Sequence, residues 1–283
     1  LKGRTLITSD GNTILGVDDK DGIAEIMQLL EILITEKIPH GQISVAFTPD
    51  EECGSGAAHF DFDTFDAEVA YTLDGDGEGE IQYQNFNACE AKFEINGKNV
   101  HPGSAKDVMI NAVLIAADIN NMLPRFEIPR HTEQYEGFYH LLSIHGDEGH
   151  AVSEYIIRDH DAEKFEQKKV FMWAAVDLLK KKYGDQVVTL TLKDQYYNMR
   201  KMVEPHPQVI DKALKAMEMA GVKPLVRPIR GGTDGARLSF MGLPCPNLFT
   251  GGMNFHGKFE YCSLTTMRKA QQVILNLAVL WSE

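Results

Sequence analysis

An α/β fold carrying an inserted α+β domain is what the sequence predicts, on three observations. Short apolar runs alternate with helical patterns up to residue 86. The pattern then changes to polar–apolar alternation, and from about residue 205 the first pattern returns. Strand–helix–strand alternation argues for a mostly parallel sheet with helices on it. Period-two alternation argues for antiparallel strands with one solvated face. The expected domains are residues 1–86 with 199–283, and an insert over 87–198.

Taken in order, "TLITSDGNTILGV" holds two β-like runs around Asp10-Gly11, a hairpin signal. Ile23, Ile26, Met27, Leu30 and Leu33 recur at helical spacing and predict an amphipathic helix over 22–37. "QISVAFTPDEE" reads as a central strand running into acids, and 68–73 as a strand followed by Asp74 and glycines. In the insert, "NACEAKFEINGKN", "GFYHLLSIHGD", "SEYIIRDH" and "VVTLTLKDQYY" predict four strands. Helices are expected over 107–123 and over "DAEKFEQKKVFMWAAVDLLKKKYG", the latter closed by Gly184. "PQVIDKALKAMEMAG" and the C-terminal "LTTMRKAQQVILNLAVLWSE" predict two further helices, separated by glycine-rich loops.

The 283 residues carry a net charge of −13, which argues against a nucleic-acid partner and against an anionic membrane surface. No apolar run approaches the roughly 18 residues of a membrane span. The four cysteines are scattered, with no paired spacing, so a reduced, cytoplasmic setting is expected.

The chemistry gathers at strand ends. Asp18 follows "TILGV", Glu51 and Glu52 follow "ISVAFTP", and Asp74 follows "AEVAYTL". In a parallel sheet such ends share one edge, where ligands bind. Converging carboxylates demand a counter-charge, and a pair of divalent cations about 3.5–4 Å apart would supply it. His256, in "TGGMNFHGKFE", is a candidate nitrogen ligand. Mixed carboxylate and imidazole ligation favours zinc, with cobalt or manganese as alternatives. Spacing alone also fits a set of solvated loop acids and a surface histidine.

"LGVDDKDG", "PDEECGSG", "YTLDG", "NVHPGSAK", "IRGGTDGARLS" and "NFHGKFE", six motifs in order over essentially the whole chain, resemble the peptidase T family. This is the tripeptide aminopeptidase branch of the di-zinc aminoacylase/carboxypeptidase superfamily. The resemblance implies a three-layer catalytic domain and a lid or dimerisation domain of two helices on a four-stranded antiparallel sheet. It also implies a short peptide substrate with a free N-terminus, two zinc ions and a homodimer through the insert. By resemblance Asp18 bridges both metals, Glu52 and His256 complete one site, and Asp74 serves the other. Asp19 is then loop structure, and Asp50 lines a turn. Glu51 matches the general base, His101 an oxyanion-stabilising histidine, Arg230 an arginine gripping a substrate carboxylate, and Asn111 a residue near substrate.

The family's His-x-Asp motif, upstream of "LGVDD", has no counterpart; His59-Phe60-Asp61 matches only its spelling and falls after "PDEE". The chain starts at Leu1 in mid-pattern, so a missing N-terminal portion and one half-built metal site are expected. The alternatives are a related di-zinc dipeptidase or deacylase, and a catalytically incomplete fragment.

Overall fold

A computed structural model of the chain describes residues 2–283. Its first elements are strand β1 (Leu6–Thr8), helix α1 (Val17–Glu36), a single-turn helix α2 (Phe62–Phe65), and strands β2 (Thr72–Gly75) and β3 (Glu80–Gln82). Strand β4 (Asn87–Asn96), helix α3 (Ala112–Met122), strands β5 (Phe138–Gly146) and β6 (His150–Asp159), helix α4 (Ala162–Tyr183) and strand β7 (Val188–Tyr196) follow. The chain ends with α5 (Arg200–Val203), α6 (Pro207–Met219), β8 (Leu225–Val226), α7 (Asp234–Phe240), β9 (Asn247–Phe249), β10 (Gly252–Met253), β11 (Tyr261–Ser263) and α8 (Leu264–Leu280). Two compact units result: one takes the chain up to Asn85 and again from Met199 to Glu283, the other Phe86–Asn198. No helix among the described residues is long and apolar enough to cross a membrane.

In the Phe86–Asn198 unit an antiparallel sheet of order β5-β6-β4-β7 carries α3 and α4. Strand β4 shows why the alternation was legible. Ala91, Phe93 and Ile95 point into the core while Glu90, Lys92 and Glu94 stay exposed. Phe93 meets Tyr155 of β6 edge-on, with ring centroids 5.7 Å apart. Ala112, Ile115, Ala116 and Ile119 form the buried stripe of α3. Helix α4 is capped by Asp161, which accepts from the Lys164 amide at 2.9 Å, and stops at Gly184 with φ 102°.

The other unit holds a four-stranded sheet of order β2-β9-β3-β8 and a small antiparallel sheet β1-β11-β10. Helices α1, α6 and α8 pack over a core that includes Leu33, Leu73, Ile81, Met217, Phe249 and Leu277.

Several expectations need correction here. One ladder departs from a parallel sheet: β2/β9 and β3/β8 run parallel, but β3/β9 is antiparallel. "QISVAF" forms no strand: it has no ladder partner among the described residues, and Val45 and Phe47 are exposed. β-propensity expresses itself only against a neighbouring strand. The Asp10-Gly11 hairpin is absent too, because β1 pairs instead with β11, far along the chain. The strand expected over 68–73 lies at Thr72–Gly75, so Asp74 is within it. Helix α1 begins five residues before the expected start, and its buried residues are Val17, Asp21, Gly22, Glu25, Leu29 and Leu33, leaving Ile23 and Met27 exposed. Apolar periodicity does not find this face because two of its inward positions, Asp21 and Glu25, are acids.

Candidate metal centre

Asp18, Glu52 and His256 meet in the unit built from the chain up to Asn85 and from Met199 onward, one ligand atom from each lying within 4.8 Å of the others. His256 Nε2 is 3.0 Å from Asp18 Oδ2 and 2.9 Å from Glu52 Oε1. Three different segments bring them there, separated by more than 200 residues at the extreme.

Asp18 sits in the first turn of α1, entered through Gly16 at φ 69°, a left-handed conformation that suits glycine. The buried Glu260 carboxylate accepts from the amides of Gly16 at 2.6 Å and Asp18 at 3.1 Å. An acid clamping two amides at a helix start satisfies donors the helix leaves unpaired. Glu51 and Glu52 open a short 3₁₀ turn after Asp50, which lies at φ 59° and whose carbonyl accepts from the Cys53 and Ser55 amides. That turn is tied down by Asp234 of α7, which accepts from Thr48 Oγ1 at 2.8 Å and from the Ala57 amide at 3.1 Å. Gly56 permits this approach, since a Cβ there would stand 2.2 Å from Asp234 Oδ2. His256 itself adopts φ 59°, and nearby Asn254 φ 60°, the sparsely populated region that functional loops often occupy.

Asp74 and Glu51 adjoin this cluster. Asp74 occupies a bulge: Leu73 pairs with Leu248 and Gly75 with Phe249, so Asp74 has no opposite residue. Bulges re-aim side chains in this way. Asn247, buried, accepts from the Asp74 amide and from Thr72 Oγ1, and donates to the Asp74 carbonyl and to Gln82 Oε1, at 2.9–3.1 Å.

The electrostatics are those of crowded anions. Burial, then the charges of Asp18 and Glu51, push Asp74 up to about 8. Burial, then Asp234, Glu52 and Asp18, raise Glu51, against a hydrogen bond from the Asp234 amide. Desolvation lowers His256, but the charges of Glu52 and Asp18 outweigh it and the net shift is upward. Beneath the cluster, burial and then Asp74 and Asp21 drive Asp19 to about 9. Burial and then Asp21 and Asp19 drive Glu25 to about 10, and neither Glu25 oxygen has a hydrogen-bond partner. Two carboxylates sharing one imidazole nitrogen form a donor set that a divalent cation fits, replacing the shared proton.

Of the other expected site residues, Arg230 lines the same cavity as Asp74. His101 and Asn111 belong to the Phe86–Asn198 unit. There His101 Nδ1 accepts from the Gly103 amide at 3.1 Å, and Asn111 caps α3 by accepting from the Leu114 amide at 3.1 Å. Glu260, Asp234, Asn247 and Glu25 were given no role by sequence reasoning. Glu260 and Asp234 lie inside the motifs that were recognised, a signal that could have found them; Asn247 and Glu25 carry none.

The chain matches Peptidase family M20/M25/M40 over residues 8–279. It is 55% identical over 282 residues to a Peptidase T of Clostridium novyi (strain NT), covering 99% of this chain and 69% of that protein. It is 56% identical over 283 residues to a Peptidase T of Clostridium perfringens (strain 13 / Type A), covering 100% and 70%. Among solved structures, aminopeptidase PepT from Bacillus cereus ATCC 10987 superimposes with TM-score 0.87 at 26% identity, covering 98% of this chain and 74% of that one.

Proposed function

The chain belongs to Peptidase family M20/M25/M40 and is a hydrolase of the metallo-aminopeptidase kind, and on that premise we propose that it removes the N-terminal residue from tripeptides with Glu51 as general base. The observation that carries this reading is the convergence of Asp18, Glu52 and His256, with Glu51 adjoining it.

Asp18, Glu52 and His256 would hold one divalent ion, zinc foremost, with cobalt or manganese as substitutes. Such an ion, when bound, lowers the pKa of water and polarises a carbonyl. Glu51 takes the proton from the attacking water and returns it to the leaving amine. Burial favours the protonated form that Glu51 passes through in that exchange. Arg230 holds the substrate's carboxylate, its planar fork matching two oxygens. His101 Nδ1 accepts a hydrogen bond, so the ring proton of a neutral imidazole sits on Nε2, free to donate to a developing oxyanion. Asn111 supports the same region from the start of α3. By family resemblance the insert also supplies a homodimer surface, and the enzyme works in the cytoplasm.

A second reading is favoured by one observation. Asp74 and Asp18 have no histidine companion of their own, and the described residues contain a single candidate metal cluster. This chain alone then binds one ion firmly and a second weakly, and is catalytically incomplete or serves a related dipeptidase or deacylase chemistry. Metal content and hydrolysis of di-, tri- and N-acylated peptides, measured on one zinc-loaded sample, separate the readings. Tripeptide turnover that Glu51→Ala lowers by about 10²–10⁴-fold while metal content holds supports the first. Full activity in Glu51→Ala would refute the assignment of the base.

A further inference from the structure

A cavity of about 700 Å³ opens beside the metal cluster, within the same unit, lined by Asp74, Asp76, Glu78, Glu80, Arg227 and Arg230 among others. It is the obvious place for a peptide whose scissile bond lies at the metals. An aminopeptidase substrate brings one obligatory cation into such a cavity, its α-ammonium, and four acids line the wall. They are not equivalent. Glu78 is neutralised by Arg4, at 2.9 Å, and by Lys269. Glu80, itself buried, pairs with Arg227 at 3.0 Å. Asp74 is part of the carboxylate cluster described above.

Asp76 remains. It is exposed and makes no ion pair among the described residues, although the Arg227 guanidinium that pairs with Glu80 also lies within its electrostatic reach. It follows Asp74 by two residues and lies within electrostatic reach of Asp18, with Gln82 hydrogen-bonded to it. We propose that Asp76 is the carboxylate that receives the substrate's free α-ammonium, the residue that makes this site select a peptide N-terminus. The proposal rests on the aminopeptidase reading above.

Covalent geometry sets what that placement requires. The ammonium nitrogen is two bonds from the scissile carbonyl carbon, about 2.5 Å away. A charge-assisted hydrogen bond adds about 2.7–2.9 Å. The receiving oxygen must therefore lie within about 5 Å of the reacting carbon. Arg230, on the same wall, suits the opposite end of the peptide. A short zwitterion would then be held at both charges, and a carboxylate-free or amine-free analogue at one.

The test compares Asp76→Asn with the wild type, both metal-loaded, by calorimetric binding of leucinamide and of 4-methylpentanamide, its analogue without the amine. The wild type is expected to prefer leucinamide on the order of 10- to 100-fold, the range of a hydrogen bond to a charged group. Asp76→Asn should lose that preference while binding 4-methylpentanamide and metal as before. On a free tripeptide its KM should rise by a similar factor, with kcat much less changed. Equal binding of the two amides by the wild type, or an undiminished preference in Asp76→Asn, overturns the proposal. The thermal midpoint shows that the variant folds, and Asp76→Glu, which keeps the charge, should keep part of the preference. An amine preference without turnover of any peptide would leave the ammonium site standing and remove the aminopeptidase reading instead.

Discussion

Glu25 offers the sharpest test of the electrostatics beneath the metal cluster. Its side chain is buried, its two carboxyl oxygens lack hydrogen-bond partners, and its pKa is pushed from 4.5 to about 10. The folded chain therefore keeps Glu25 protonated at neutral pH, while the unfolded chain ionises it. For a group whose folded pKa is raised, stability is full below the unfolded value and is lost as pH climbs toward the folded one. Between pH 5 and pH 8 the window lies inside that interval. Three pH units at about 1.36 kcal/mol each make the Glu25 contribution up to about 4 kcal/mol over this range. The perturbation is Glu25→Leu, which fills a similar volume and does not titrate. Trp281 packs in the same apolar cluster as Leu29 and Leu33, so its fluorescence reports on this unit. The chain has one other tryptophan, Trp173 of α4, which Trp173→Phe silences. Urea unfolding of metal-free protein in that background, at pH 5, 6, 7 and 8, gives the slope of stability against pH. Asp19, Asp21 and Asp74 add slope of the same sign in both proteins, so the difference belongs to Glu25. The variant should flatten the slope and gain most at pH 8. Parallel slopes would refute the claim that Glu25 is held neutral.

Three further outcomes are expected. His256→Ala removes the only nitrogen ligand of the three-residue cluster, and metal retained after dialysis, read by atomic absorption, should fall well below one ion per chain. Asn247→Leu strands the Asp74 amide and carbonyl in a buried bulge, so unfolding should show a loss of about 2–6 kcal/mol, each orphaned group costing about 1–3 kcal/mol. Phe93→Ala empties a fully buried ring site against Tyr155 and should cost about 3–5 kcal/mol, seen as a lowered urea midpoint.

The division between what was legible and what was not follows the range of the forces involved. Strand β4 and helices α3, α4, α6 and α8 were readable because their periodicity records which side chains face inward, a property each short segment carries by itself. The six motifs were readable as well, since each keeps its ligand beside the loop residues that shape it. The partner of β1 was not readable: β11 lies some 250 residues away and nothing in "TLITSD" names it. Nor was the failure of "QISVAF" to form a strand, because a strand exists only as half of a ladder.

The same divide runs through the site. By itself the sequence determined the residue types of the centre, with Asp18, Glu51, Glu52, Asp74 and His256 as candidates. Only the tertiary structure decided how a dozen acids share the work. It set Asp18 and Glu52 on one imidazole nitrogen. It made Glu260 and Asp234 the clamps of the ligand loops and kept Glu25 as a neutral acid in the core. Charge and burial are sums over neighbours brought together from the whole chain, so identical carboxyl groups acquire different roles only after the backbone has folded.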